Sequence, residues 1–496
     1  MSYRGALASR SIDTTAAACK VGLTRFGRPK VTNRRAQLEC FKAYDVRGQV
    51  PGQLNNELAR FIGRAYARFL KAQKVVVGHD VRLTSPELTE ALCHGLTESG
   101  VDVVHIGLVG TEEVYYATAS LGVDGGIMVT ASHNPRDYNG MKFTREKARP
   151  ISADTGLLDI EEMVLEELRS DGNVHWAPAV LQAEGGSGDL QRLDNRASYI
   201  EHLLSYIDTS RLRPLKIVAN AGNGGAGPIL ERLEEVLPLE FVRVEYTPDG
   251  SFPNGVPNPL LPENRQATSE VVLAEEADLG VGWDGDFDRC FFFDEKGSFV
   301  EGYYLVGLLA ERALRRHPGG SIVHDPRLVW NTTEVVRALG GTPVVSKSGH
   351  AFIKEKMREV DGAYGGEMSA HHYFKEFSYC DSGMIPWLQV VEAMSDENRP
   401  LSQMVGERIA RYPVSGEVNL TLSKPLVALE RLREKYESAA SSTDELDGLS
   451  FEFSDWRVNV RLSNTEPVVR VNVESRGDEA LVRAKTAEVL ACLKEA

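Results

Sequence analysis

Apolar positions along this chain follow two alternating periods. Leu58, Phe61, Ile62, Ala65 and Phe69 share one face at helical spacing, which predicts a helix within residues 54–72. Lys74-Val-Val-Val-Gly78 is a short buried strand ending in Gly78-His-Asp-Val-Arg82; residues 86–99 read as helix and 101–107 as strand. Gly126-Ile-Met-Val129 reads as another buried strand. It breaks into Thr130-Ala-Ser-His-Asn-Pro135, where small polar residues and an Asn-Pro step force a loop. A second unit opens with the strand Leu215–Asn220, a glycine-rich turn at Ala221–Gly227 and a helix from Pro228. Its later strand, Asp278–Trp283, runs into Asp284-Gly-Asp-Phe-Asp-Arg289, and Phe291–Phe293 leads away. A third unit has strands at 321–325 and 342–346, a helix after His350, and Ala363-Tyr-Gly-Gly366 running into Glu367-Met-Ser-Ala-His371. One helix is expected over 396–410. Such alternation predicts α/β layers. From about residue 411 the pattern changes to strands at 414–422, 456–462 and 468–473 with helices at 428–440 and 478–494, which predicts a smaller α+β domain.

The polar stretch 171–195, with Gly185-Gly-Ser-Gly188, places a boundary near 190. The expected organisation is an extension at 1–40, then domains at 41–190, 191–300, 301–410 and 411–496. At 496 residues the length suits several domains. Self-similarity among the first three units is too weak to predict a repeat.

The net charge of −15 argues against general binding to nucleic acid or anionic membranes. Residues 1–40 hold eight Lys/Arg against two acidic residues, so they carry +6 and leave −21 for the rest. They lack the apolar run of a secretory signal and read as a disordered extension or an upstream start; their Arg-rich, acid-poor character also suits an organellar transit peptide. Six scattered cysteines without Cys-x-x-Cys predict reduced thiols in a cytoplasmic protein. No apolar run reaches the roughly 18 residues that would suggest a membrane span.

Four stretches carry candidate chemistry. Ser132, at a strand end beside His133, is a candidate nucleophile or phosphate carrier; an ordinary capping serine is the plain alternative. Asp284, Asp286 and Asp288 alternate, so a loop can aim all three at one hard cation such as Mg²⁺ or Ca²⁺. An EF-hand would need glycine where Arg289 stands, and a solvated acidic turn is the other alternative. Glu367 and Ser369 offer partners for sugar hydroxyls. Arg461, Ser463, Asn464 and Thr465 combine a guanidinium fork with hydroxyls and loop N–H groups, a set suited to phosphate, though an ordinary loop fits the same residues.

In this order the four motifs resemble those of the α-D-phosphohexomutase superfamily, across roughly residues 41–491, and most closely those of its bacterial phosphomannomutase branch. The resemblance implies three related α/β domains with mixed sheets and a distinct C-terminal α+β domain around a central cleft. It implies that Ser132 carries a phosphate, that Asp284, Asp286 and Asp288 with that phosphate hold Mg²⁺, and that Lys142 and Arg289 lie at the same centre. It assigns Glu367, Ser369 and His371 to the sugar, and Arg461, Ser463, Asn464 and Thr465 to the phosphate that is not reacting. Tyr44, Arg47 and Arg327 are implied as further substrate contacts and His350 as a catalytic imidazole; the role of His133 stays open between base and loop support. Two positions depart from common family forms: Phe287 replaces a usual glycine, and Met368 stands where glucosamine-specific members usually carry Gln. The expected partners are small hexose phosphates, with a hexose 1,6-bisphosphate as activator. The expected activity is interconversion of mannose 6-phosphate and mannose 1-phosphate, feeding GDP-mannose and exopolysaccharide synthesis, with a dual glucose/mannose mutase, a phosphoglucosamine mutase or a phosphoserine-type phosphatase as alternatives. Monomer and homodimer are both open.

Overall fold

The computed structural model describes residues 38–170, 187–462 and 468–495. The expectations for residues 1–37 and for Ser463–Thr465 lie outside the described residues.

Three sheets share the order of their four central strands; the edge strand beside them comes from before these four in the first sheet and from after them in the other two. The first contains β1 (Val46–Gln49), β2 (Lys74–His79), β3 (Asp102–Leu108), β4 (Gly125–Val129) and β5 (Tyr138–Arg145), arranged β1-β5-β4-β2-β3. The short strands β6 (Arg149–Pro150) and β7 (Leu190–Arg192) add to β5 and β3. The second contains β8 (Lys216–Asn220), β9 (Glu240–Val244), β10 (Leu279–Trp283), β11 (Cys290–Phe293) and β12 (Phe299–Val300), arranged β12-β11-β10-β8-β9. The third contains β13 (Ser321–His324), β14 (Thr342–Val345), β15 (Tyr364–Gly366), β16 (His372–Phe374) and β17 (Cys380–Asp381), arranged β17-β16-β15-β13-β14. In each, three strands run parallel, joined in the first sheet by the short β7, and the strand after the motif-bearing one returns antiparallel: β4 with β5, β10 with β11, β15 with β16. Parallel neighbours need crossovers, and helices supply them.

The repeat is faint in side-chain identity but plain at the strand ends. The side chain at the end of β2, β8 or β13 accepts a hydrogen bond from a backbone N–H two residues on. These are Asp80 from Arg82 at 3.0 Å, Asn220 from Gly222 at 2.8 Å and Asp325 from Arg327 at 3.1 Å. Each is an Asx turn, which Asp and Asn form because their short side chains reach their own backbone.

The fourth sheet is wholly antiparallel. It holds β18 (Val414–Thr421), β19 (Ser442–Asp444), β20 (Leu449–Glu452), β21 (Trp456–Leu462) and β22 (Val468–Ser475) in the order β18-β22-β21-β20-β19. Val458, Val460, Val469 and Val471 pack in one core with Leu429 and Leu432 of the helix Pro425–Tyr436 and Val489 and Leu493 of the helix Glu479–Lys494.

The expected helix at 396–410 is instead two helices, Met384–Glu397 and Leu401–Arg411, separated where Asn398 turns left-handed (φ 51°) ahead of Pro400. The first is buried on all sides from Met384 to Ser395. A helix without a polar face gives no amphipathic period, so the sequence pattern hides it. It fastens the second sheet to the third: Trp283 Nε1 donates to Gly383 O at 3.0 Å, and the Trp283 and Trp387 rings meet edge-on at 6.3 Å. The loop that follows Trp283 therefore starts from a fixed point.

Candidate active site

Each repeated sheet ends its β4-equivalent strand in one polar loop. After β4, Ser132 sits in the left-handed region (φ 47°) and is 3% exposed. A non-glycine residue there costs roughly 1–2 kcal/mol, so the surroundings must impose it. They do. Thr130 Oγ1 accepts from Ser132 N at 2.9 Å, and Arg47 Nη1 donates to Ala131 O at 3.2 Å and to Asn134 Oδ1 at 2.5 Å. Arg82, which the sequence reading passed over, donates to four carbonyls of this loop and its exit.

After β10, Asp284, Asp286 and Asp288 are 0–1% exposed, which excludes the solvated acidic turn. Ser132 Oγ donates to Asp284 Oδ2 at 2.9 Å and lies 3.1 Å from His133 Nδ1. Arg289 donates to the same Asp284 oxygen through Nε (3.0 Å) and Nη2 (2.7 Å), and its Nη2 is 2.6 Å from His133 Nδ1. His133 thus touches both the serine and the guanidinium. From β5, Lys142 Nζ donates to Asp286 at 2.7 Å and Asp288 at 2.6 Å, while Thr111 Oγ1 donates to Asp286 at 2.5 Å.

Burial alone would lower the Lys142 ammonium, but Asp286 and Asp288 outweigh it and hold it above its ordinary value. Asp288 is pushed up to about 6 by burial and by the charge of Asp286. Three carboxylates crowd here against two cations. Asp286 Oδ1 and Asp288 Oδ1 are buried without a hydrogen-bond partner. One oxygen from each aspartate lies within 4.8 Å of the others. Orphaned, all-oxygen ligands of this kind fit a hard divalent cation.

Two backbone details hold this loop. Gly285 abuts Ser132 O, where an added Cβ would come within 2.9 Å, so the two loops touch backbone to backbone. Phe287 is left-handed (φ 41°) and fully buried, its ring filling space beside Gly110 and Gly225. Gly225 N also donates to Gly285 O at 3.1 Å, so the glycine-rich turn supports the aspartate loop.

After β15, Glu367 accepts from Tyr373 Oη at 2.6 Å, Gly349 N at 3.2 Å and Ser369 Oγ at 3.2 Å. Arg327 reaches Asp325 at 2.5 Å, Ser369 Oγ at 3.2 Å and Glu367 at 3.4 Å. His371 Nδ1 lies 2.8 Å from Asp381, whose other oxygen is 2.7 Å from the fully buried Lys354. Burial opposes the charge on His371, but Asp381 and Asp288 lift its pKa above the ordinary value. His350 opens the helix His350–Glu359 with Tyr44 edge-on at 5.7 Å and the His371 ring at 6.4 Å. Burial, then the Lys354 ammonium, keep its pKa well below the ordinary value.

Arg461 is placed on β21, 7% exposed. Glu417 lies 3.8 Å from Arg461, 3.6 Å from Arg470 and 3.3 Å from Arg327. Three guanidinium groups from two domains thus share one carboxylate.

Residues 38–170, 197–297 and 301–412 match alpha/beta/alpha domains I, II and III of phosphoglucomutase/phosphomannomutase, and 417–491 match its C-terminal domain. The chain belongs to the phosphoglucomutase/phosphomannomutase family. The phosphomannomutase of Salmonella typhimurium is 56% identical over 464 residues, covering 92% of this chain and 100% of the relative. A Xanthomonas campestris protein named as phosphohexose mutases is 56% identical over 452 residues, covering 91% and 98%. A crystal structure of a Burkholderia thailandensis family member superposes with a TM-score of 0.80 at 33% identity, covering 92% and 98%.

The protein is accordingly an isomerase of the phosphohexomutase class, one that moves a phosphoryl group within a sugar phosphate. Among the described residues no helix is long and apolar enough to cross a membrane. In this phosphohexomutase the residues missed by sequence reading are those whose partners are remote: Arg82, Thr111, Glu417, and the pair Lys354 and Asp381. Only the repeated His-Asp-x-Arg at 79–82 and 324–327 offered a signal.

Proposed function

We propose that the enzyme is a phosphomannomutase that carries a phosphate on Ser132. The observation that carries this reading is the Ser132 hydroxyl 2.9 Å from Asp284, within a buried carboxylate cluster that has two orphaned oxygens. The names of several relatives support mannose as the sugar.

On this reading a hydroxyl of mannose 6-phosphate attacks the phosphorus on Ser132. The P–Oγ bond breaks, and mannose 1,6-bisphosphate forms. The hydroxyl's proton passes to His350, whose imidazole is held uncharged. The bisphosphate turns over within the cleft. Ser132 Oγ attacks the phosphorus on C6, the bond from that phosphorus to the C6 oxygen breaks, His350 returns its proton to that oxygen, and mannose 1-phosphate leaves. Glu367, Ser369 and His371 hold hydroxyls common to both poses, with Tyr44, Arg47 and Arg327 lining the path. Arg461, with Ser463, Asn464 and Thr465, holds the idle phosphate. Lys142 and Arg289 face the charge that develops on the phosphoryl oxygens. Asp284, Asp286 and Asp288, with the Ser132 phosphate, would hold Mg²⁺, which when bound neutralises that charge. A trace of hexose 1,6-bisphosphate serves as activator by recharging Ser132. We place the enzyme in the cytoplasm, supplying GDP-mannose synthesis.

The test is a parallel assay on mannose 1-phosphate and glucose 1-phosphate, with and without Mg²⁺ and a trace of hexose 1,6-bisphosphate. Mannose turnover that depends on both additions supports the reading. Equal turnover of glucose makes it a dual mutase. Release of inorganic phosphate without isomerisation makes it a phosphatase and overturns it.

A further inference from the structure

We propose that Arg82 is a positioning residue for the phosphate carrier: its guanidinium grips the Ser132 loop by the backbone and fixes where Oγ points. Arg82 is 1% exposed. Nη2 donates to Ser132 O at 2.8 Å and Asn134 O at 2.6 Å; Nη1 donates to Pro135 O and Tyr138 O, both at 2.8 Å. Both terminal nitrogens are thus spent on carbonyls of one turn. Asp80 lies 3.5 Å from Nε, and the Phe252 ring from the second domain lies 5.4 Å from the guanidinium carbon.

The turn that presents Arg82 does not dictate this direction. Arg327 leaves the equivalent strand end through the same Asx turn, yet it reaches the side chains of Asp325, Ser369 and Glu367. Arg82 points inward because four carbonyls of the Ser132 loop converge there. A planar five-donor fork suits that set, and an ammonium cannot replace it. The carbonyl of Ser132 is held between Nη2 and the backbone of Gly285. Fixing that carbonyl sustains the left-handed φ at Ser132, and with it the direction of Oγ.

The inference rests on Ser132 being the phosphate carrier, so the experiment first phosphorylates the enzyme with a hexose 1,6-bisphosphate and locates the label by mass spectrometry. Single-turnover transfer to mannose 6-phosphate is then compared for wild type, Arg82→Lys and Arg82→Ala, with melting temperatures alongside. Arg82→Lys is expected to transfer about 100-fold more slowly, because a shift of about 1 Å in a reacting group has that effect, with KM changed by no more than about threefold. Arg82→Ala is expected to be slower still and to regain about tenfold on addition of guanidinium at concentrations that leave its melting temperature unchanged, while wild type gains nothing. Transfer by either variant within about threefold of wild type overturns the proposal, as does a loss confined to KM or an absence of rescue. If neither variant folds at the assay temperature, Arg82 serves the whole fold and the proposal fails. If wild-type Ser132 takes up no label, the functional reading itself fails, a result distinct from all of these.

Discussion

The Ser132 loop and the Glu367 loop occupy the same place in two copies of one fold, yet they are held in opposite ways. The first is gripped by its backbone: Arg47 and Arg82 donate to five of its carbonyls and to the Asn134 amide oxygen. The second is held chiefly through side chains, with Glu367, Ser369, Tyr373 and Arg327 bonded to one another. Backbone grips leave one atom, Oγ, with a fixed address. Side-chain pairs can be exchanged for sugar hydroxyls without moving the chain. On the proposed reading, a phosphate that returns to the same oxygen calls for the former, and a sugar recognised in two orientations calls for the latter.

The largest test of this contrast is Ser132→Ala. It is expected to reduce phosphoryl transfer by at least about 10⁴-fold for every sugar accepted, measured as kcat, because on the proposed reading Ser132 is the carrier and no other group replaces it. Glu367→Gln is expected to lower kcat/KM by about 100-fold while Ser132 still takes up phosphate from a hexose bisphosphate, since unpairing a buried hydrogen-bonding group costs about 1–3 kcal/mol. Loss of Ser132 labelling in that variant would break the separation of roles.

The third strand end sharpens the comparison. Phe287→Gly removes a buried ring, at about 3–5 kcal/mol, and relieves a left-handed backbone worth roughly 1–2 kcal/mol. The net expectation is a loss of about 1–4 kcal/mol in chemical denaturation; a gain in stability would show that strain dominates there.

The smallest effect concerns Glu112, which joins the two halves of the comparison. Its carboxyl accepts from Ser382 Oγ at 3.0 Å and Met384 N at 3.3 Å, and also from Gly383 N and Tyr199 Oη. Burial pushes its pKa up to about 8 from an ordinary 4.5. The folded chain then binds more protons than the unfolded one, so this group's contribution is full below about pH 4.5 and is lost as pH rises towards 8. Glu112→Gln is expected to flatten the fall in melting temperature over that window by roughly 2–4 °C, and an unchanged slope would count against the assignment.

The candidate chemistry is easiest to pick out of the sequence where it lies in contiguous residues at strand ends. Ser132, the three aspartates and Glu367 each announce themselves by a polar break after an apolar run. The family resemblance pointed correctly to the α/β class and to the enzyme class. What stayed hidden depends on remote partners. Arg82 looks like any strand-end arginine until carbonyls some fifty residues later fold over it. Glu417 lies in a strand whose alternation reveals nothing of the three arginines around it. The helix Met384–Glu397 escaped because burial on every side erases its period, and the threefold repeat shows in strand order and hydrogen-bond geometry far more than in residue identity.

The contact of Gly285 with the Ser132 carbonyl carries a kinetic consequence. With no room for a side chain between them, the two loops pack backbone to backbone, and on the proposed reading this holds the phosphate-bearing serine at a fixed spacing from the carboxylates. On that reading, the widening that lets a bisphosphorylated sugar rotate falls to the third and fourth domains, which carry Glu367 and Arg461. Escape of the half-finished molecule then becomes a race between its rotation and the opening of those domains. On the same reading processivity, the number of turnovers completed before a molecule is lost and the carrier must be recharged, would be set by how slowly they open.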